Sequence, residues 1–150
     1  MDRRNQVSLF TDGSCNGNPG PGGYAAILKK GRFHKEIVGK VPHSTNNRME
    51  LTAVIKGLSE VKPHSNVTVY TDSGYVERAV NEGRLEQWQH NGWRRIRTGT
   101  EVMNRDMWQD LISIINERNL DVKFQKIAAH KGHRINERVD FLARQAAKMA

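Results

Sequence analysis

Acidic residues are scarce in this chain, cysteine is nearly absent, and long apolar runs are missing altogether. Sixteen aspartates and glutamates stand against 24 lysines and arginines, a formal net charge of +8. That excess in a small domain argues for a polyanionic partner, with plain solubility as the ordinary alternative. A single cysteine, Cys15, leaves neither an internal disulfide nor a cysteine zinc cluster possible. No apolar stretch approaches the roughly 20 residues that span a bilayer. The opening Met1-Asp2-Arg3-Arg4-Asn5 lacks the apolar segment of a signal peptide. No membrane association and a reducing, cytoplasmic home are therefore expected. What remains, 150 residues of which 37% are hydrophobic and 27% charged, is the make-up of one globular domain spanning residues 1–150. Neither a linker nor a longer internal repeat divides it, and a monomer is expected.

Two stretches end alike. Val7-Ser8-Leu9-Phe10-Thr11-Asp12-Gly13-Ser14 alternates as a strand and closes on Thr-Asp, and Val67-Thr68-Val69-Tyr70-Thr71-Asp72-Ser73-Gly74 does the same. If the two strands lie parallel and adjacent, Asp12 and Asp72 meet beyond their carboxyl ends, where open α/β sheets bind ligands. Carboxylates brought together there repel unless a proton or a cation sits between them.

Between them, Asn16 to Gly23 reads as turn. Tyr24–Leu28 and Phe33–Val41 read as two further strands of an antiparallel meander, the last ended by Pro42. From Asn47 the period becomes helical, with Leu51, Val54, Ile55 and Leu58 on one face and Thr45, Asn46 and Asn47 as cap candidates. A short helix is predicted from about Ser73 to Asn81, stopped by Gly83. Asn104 is a cap candidate for a long helix with the face Met107, Leu111, Ile114, Ile115. Asp121–Ile127 is a last strand. A basic, histidine-bearing loop over Ala128–Ile135 follows, and a final helix carries Val139, Leu142, Ala143 and Ala146. This order predicts an α/β fold: a mixed five-stranded sheet, an antiparallel three-strand meander plus two parallel strands, flanked by helices.

Each acid at an element end has a plain structural explanation when taken singly. Asp12-Gly13 suits a turn, Asp72 an N-cap, Glu50 a capping box begun at Asn47, and Asp140 a solvated helix face. Taken together, Asp12, Glu50, Asp72 and Asp140 stand at strand ends or at the margins of buried faces and can converge. Four oxygen donors suit magnesium or manganese. In a basic protein such a cluster suggests phosphodiester chemistry with two metals. His130, ten residues before Asp140, is a candidate proton carrier, and His133 competes for that role. The stretch Gln87–Thr100 contains no acid but holds Trp88, His90, Trp93, Arg94, Arg95 and Arg97. Flat rings and cations suit sugar stacking and backbone tracking on nucleic acid; the competing reading is a loop whose tryptophans pack inward.

Several segments resemble type 1 ribonuclease H, the bacterial ribonuclease HI family. They are Thr11-Asp12-Gly13-Ser14-Cys15 with Gly17-Asn18-Pro19-Gly20-Pro21-Gly22-Gly23; Thr45-Asn46-Asn47-Arg48-Met49-Glu50-Leu51; Tyr70-Thr71-Asp72-Ser73; and Asn136-Glu137-Arg138-Val139-Asp140 with His130 and Gly132-His133 upstream. They occur in family order over nearly the whole chain. The resemblance implies an endonuclease that hydrolyses the RNA strand of RNA/DNA hybrids without sequence specificity, leaving 5′-phosphate and 3′-hydroxyl ends. It implies two magnesium ions, for which manganese substitutes, held by Asp12, Glu50, Asp72 and Asp140, with His130 as the catalytic histidine. By motif position Asn18, Thr45, Asn46 and Asn47 touch the hybrid, Thr45 at a DNA phosphate, and Trp88 lines the DNA channel. Cys15, Trp93, Arg94, Arg95 and Asn136 complete the expected substrate-binding set. Reading RNA by its 2′-hydroxyl across a wide, shallow minor groove suits small polar groups such as the three asparagines.

Two departures stand out. Many relatives carry glutamine after Asp-Ser, where this chain has Gly74, which predicts one polar contact fewer. The basic excursion is also shorter than the family's lysine-rich protrusion, so Arg94, Arg95 and Arg97 are expected to fill that role. With no separate hybrid-binding domain in view, low processivity is expected. Two other functions compete: a non-catalytic nucleic-acid binding module, and another nuclease of this architecture such as a Holliday-junction resolvase or an integrase core.

Overall fold

Strand alternation decides which residues meet across the sheet. In a computed structural model of the chain, which describes residues 5–127 and 134–150, β1 (Asn5–Cys15) turns Val7 and Leu9 to one face and Phe10 to the other. β2 (Gly20–Lys30) pairs antiparallel with β1, and β3 (Phe33–Ser44) pairs antiparallel with β2. β4 (Ser65–Thr71) lies parallel to β1 on its other side, and β5 (Asp121–Lys126) parallel to β4. The order β3-β2-β1-β4-β5 is the predicted mixed five-stranded sheet. No helix among the described residues is long and apolar enough to cross a membrane.

Helices cover both faces. On the first lie α1 (Asn46–Leu58), α2 (Gly74–Asn81), α3 (Arg84–His90) and α4 (Arg105–Glu117), closing a core of Leu9, Leu51, Val54, Leu58, Val69, Val76, Trp108 and Leu111. On the second, α5 (Arg134–Lys148) packs Val139 and Ala143 against Phe10, Ala25 and Ile27. Helix and sheet touch most closely at two glycines. A Cβ built on Gly13 would stand 2.4 Å from the Glu50 nitrogen at the start of α1, and one on Gly23 would stand 2.3 Å from the Ala143 carbonyl oxygen of α5.

Several predicted boundaries move, each for a local reason. β1 does not stop at Asp12; β2 continues beside it, so pairing runs on through Cys15↔Gly22. The turn expected over Asn16–Gly23 shrinks accordingly, because Gly20 to Gly23 already belong to β2. Pro42 does not end β3, which reaches Ser44. β3 is an edge strand, and Pro42 falls where the register with β2 shifts, so its missing N–H costs nothing. Asn104 stands before α4 with φ 60° and makes no capping bond; its amide donates to Tyr75 Oη instead. Trp108, absent from the predicted α4 face, is fully buried there and donates its Nε1–H to the same Tyr75 oxygen at 3.0 Å. Residues 134 and 135, expected in the loop, open α5; the rest of that loop lies outside the described residues.

The cap of α1 is Thr45, whose Oγ1 accepts from the Arg48 nitrogen at 3.2 Å. Three residues on from this cap comes Arg48, so Glu50 completes no capping box. Thr45→Ala should therefore destabilise the fold by about 1 kcal/mol, a fall in melting temperature of roughly 2–4 °C, while Thr45→Ser should not. Thermal unfolding followed by circular dichroism reads the difference.

Candidate active site

The parallel register of β1 and β4 ends at Phe10↔Tyr70. Asp12 and Asp72 each stand two residues beyond that last pair, so both carboxylates emerge at the same edge of the sheet. Asp72 does not cap α2; Ser73 does, accepting from the Val76 nitrogen at 3.2 Å. Glu50 arrives from above, because the contact at Gly13 lays the start of α1 directly on the β1 backbone beside Asp12. Asp140 arrives on α5 from the opposite face.

These elements bring carboxylate oxygens of Asp12, Glu50 and Asp72 within 4.8 Å of one another. Asp140 adjoins the trio, its carboxyl within hydrogen-bonding reach of Asp12. Its other oxygen contact is Arg144, whose Nε stands 3.2 Å from Asp140 Oδ2 one helical turn away. All four acids open on one cavity that Asn46, Asn47, Gly74 and Arg144 also line.

Burial and mutual repulsion dominate the electrostatics. Asp12 is 4% exposed and Glu50 9%. Desolvation first, then the charge of Asp72, pushes the Asp12 carboxyl up to about 7. Burial first, then the charge of Asp12, holds the Glu50 carboxyl well above the usual carboxylate range. Glu50 Oε2 is buried with no hydrogen-bond partner among the described residues. An orphaned oxygen, two desolvated carboxyls and an all-oxygen donor set fit a hard divalent cation. That charge would satisfy what the protein leaves unpaired.

The other predicted residues separate into groups. Asn18 Oδ1 accepts from the Asn46 nitrogen at 3.1 Å, tying the Gly/Pro turn to the start of α1. This tie gathers exposed Asn18, Asn46 and Asn47 with half-buried Thr45 on one rim of the cavity. Cys15, half-buried, ends β1 nearby, and burial pushes its thiol up. Asn136 is 4% exposed, inside the protein. Trp93 packs in the core at 9% exposure, so the inward-packed reading of the excursion holds for that ring. Trp88 is half-buried, 5.7 Å from the Trp108 ring, and lines a cavity of about 600 Å³ with Arg84, Arg95, Arg97 and Asn104. Arg94 turns aside and donates to the Gly99 carbonyl. His130 and His133 lie outside the described residues. Sequence reasoning passed over Arg144, whose signal was its helical i+4 spacing from Asp140, and Arg84, which carried no signal because its neighbours in space come from another segment.

A family model described as RNase H matches residues 4–148. Among curated proteins, the Ribonuclease H of Thermus thermophilus is 46% identical over 145 residues, 97% of this chain and 86% of that protein. That of Syntrophomonas wolfei is 44% identical over 144 residues, 95% of this chain and 97% of that protein. Among solved structures, LC9-RNase H1, described as a type 1 RNase H with the type 2 active-site motif, superposes with a TM-score of 0.83 at 26% identity, over 99% of this chain and 75% of that one. LC11-RNase H1, solved in complex with RNA/DNA hybrid, shares the fold with a TM-score of 0.72 at 22% identity, over 95% of this chain and 97% of that one.

Proposed function

The chain belongs to the RNase H family, and from that membership we propose that it hydrolyses the RNA strand of RNA/DNA hybrids endonucleolytically, leaving 5′-phosphate and 3′-hydroxyl ends. The observation that carries this reading is the meeting of Asp12, Glu50 and Asp72 within 4.8 Å, with Asp140 adjoining, in a protein of net charge +8. Two magnesium ions held by Asp12, Glu50, Asp72 and Asp140, with manganese able to replace them, would supply the positive charge that activates a water and steadies the leaving oxygen.

The protein's own groups do the rest. Asn18, Asn46 and Asn47, gathered on one rim by the Asn18–Asn46 hydrogen bond, read the 2′-hydroxyls of the strand to be cut. Thr45 holds a phosphate of the other strand. Trp88 with Arg84, Arg95 and Arg97 forms a cationic wall along which the DNA backbone runs. Contacts of these kinds carry no base information, so sequence specificity is not expected. His130 moves the proton. The protein acts as a monomer in the cytoplasm.

End-labelled RNA/DNA hybrid, single-stranded RNA and duplex DNA, each incubated with magnesium or with chelator, test the proposal. Cutting confined to the RNA of the hybrid and abolished by chelator is expected; cutting of duplex DNA would sink it. The cationic wall has its own test. Arg84→Ala/Arg95→Ala/Arg97→Ala should weaken hybrid binding about tenfold or more near 0.1 M salt and flatten the salt dependence by two to three phosphate contacts (roughly 0.9 each in the logarithmic slope). Binding equal to the parent at several salt concentrations would remove these arginines from the interface.

A further inference from the structure

Beside Gly74, which lines the cavity that holds the four acids, stands a second cation that no described residue engages. Gly74 opens α2 and lines this cavity. Arg78 stands one turn later on the same helix, and side chains of a helix lean toward its N-terminus. Its guanidinium accordingly reaches back over Gly74. A Cβ built on Gly74 would stand 2.5 Å from Arg78 Nη1, 3.2 Å from Cζ and 3.3 Å from Nη2. The planar group therefore occupies the volume that a side chain at position 74 would need.

Arg144, which lines the cavity itself, is engaged by Asp140. The Arg78 guanidinium makes no hydrogen bond or ion pair with any described residue, and its side chain is exposed. Five donors in a fixed fork, beside a cleft for a polyanionic strand, match the bidentate geometry of a phosphodiester.

We propose that Arg78 grips a phosphate of the strand lying in the carboxylate cleft, and that Gly74 exists in this chain to give its guanidinium room. The inference rests on the reading of the cleft as a nucleic-acid site. On it, the polar contact that the loss of glutamine at position 74 removes is not missing but supplied from one helical turn away. Arg78 is a positioning residue for the strand; the acids remain the reacting centre.

The two halves of the proposal make a double-mutant cycle. Arg78→Ala should raise the KM for hybrid about tenfold near 0.1 M salt, with a much smaller change in kcat, and should reduce the salt slope by about one phosphate contact (roughly 0.7–0.9). Gly74→Ala should raise KM similarly in the parent, because its methyl displaces the guanidinium, yet add little on top of Arg78→Ala. Arg78→Lys, which keeps the charge but loses the fork, should fall between parent and Arg78→Ala. Melting curves separate these effects from damage to α2. An unchanged KM and salt slope in Arg78→Ala, or strictly additive effects of the two variants, would overturn the assignment. A parent that leaves the hybrid uncut would instead overturn the reading of the cleft beneath it.

Discussion

Replacing Asp12 by asparagine is expected to lower hybrid cleavage by about 10³-fold or more while leaving hybrid binding within about twofold of the parent. The carboxylate sits at the centre of the cluster, 4% exposed, touching Glu50 on one side and Asp140 on the other. Asparagine keeps the shape and removes the charge, so any loss reports on the charge. Interactions that hold developing charge at a dry site contribute several kcal/mol to a barrier, and each 1.4 kcal/mol is tenfold in rate. Binding survives because the contacts proposed for the strands (Asn18, Asn46, Asn47, Trp88 and the arginines) are made by other side chains, which the substitution leaves in place. Gel-shift affinity and single-turnover cleavage, measured on one preparation, separate the two quantities. Cleavage equal to the parent would show that Asp12 plays no part in the chemistry.

The same substitution should stabilise the metal-free protein, and the effect has a definite pH window. Asp12 titrates near 7 in the folded protein against 3.8 for an unhindered aspartate, so the folded state binds the proton more tightly than the unfolded chain. The stability that this proton lends is complete below about pH 4 and is lost as pH rises through 7. At pH 8 in chelator the charged, crowded carboxylate costs at most about 4 kcal/mol. Asp12→Asn should recover about 1–3 kcal/mol of this at pH 8 and almost nothing at pH 4. Urea unfolding at the two pH values measures it. A gain equal at both would show that repulsion among the acids is not its source. A site that is costly until a cation enters it is what stability gives up to function.

The acid cluster was legible before the fold because its members mark element boundaries. Asp12 and Asp72 follow the same strand pattern, and once the strands pair in parallel the chain geometry brings them together. Glu50 and Asp140 were placed at the margins of apolar helical faces, and α1 and α5 do bury those faces. What the pattern could not convey was contact between backbones. Eight successive residues rich in glycine and proline look like a turn, yet Gly20 to Gly23 form strand, where Gly22 leaves room for Met49 of α1 and Gly23 lets α5 lie on β2. Trp93 and Trp88 look equally available in the sequence. The fold sends the first into the core and leaves the second at a cavity wall, a distinction set by neighbours such as Trp108 that are far away along the chain. Gly74 by itself reads only as a lost polar contact, and Arg78 carries no signal; the helix between them makes them one feature.

That dependence on backbone contact makes Gly13→Ala the second large expected effect. An added methyl would stand 2.4 Å from the Glu50 nitrogen and the Met49 carbonyl carbon, and 2.7 Å from Met49 Cβ. Two of these are main-chain atoms of α1, so no rotamer change relieves the clash. Ordinary contact needs about 3.5–4 Å, and the start of the helix must lift from β1 by about an ångström. Overpacking against a fixed backbone costs about 3 kcal/mol, or roughly 6–12 °C in melting temperature for a chain of this size. The lift also carries Glu50 away from Asp12, and a misplacement of about an ångström in a reacting constellation costs about 10²-fold in rate. Leu58→Ala separates the two consequences. Leu58 is fully buried at the far end of the same helix, so its truncation should cost a comparable 2–5 kcal/mol while leaving kcat of the folded enzyme near the parent value. If Gly13→Ala lost stability but cut hybrid at the parental rate well below its melting temperature, the spacing of α1 from β1 would not be what sets Glu50 against Asp12.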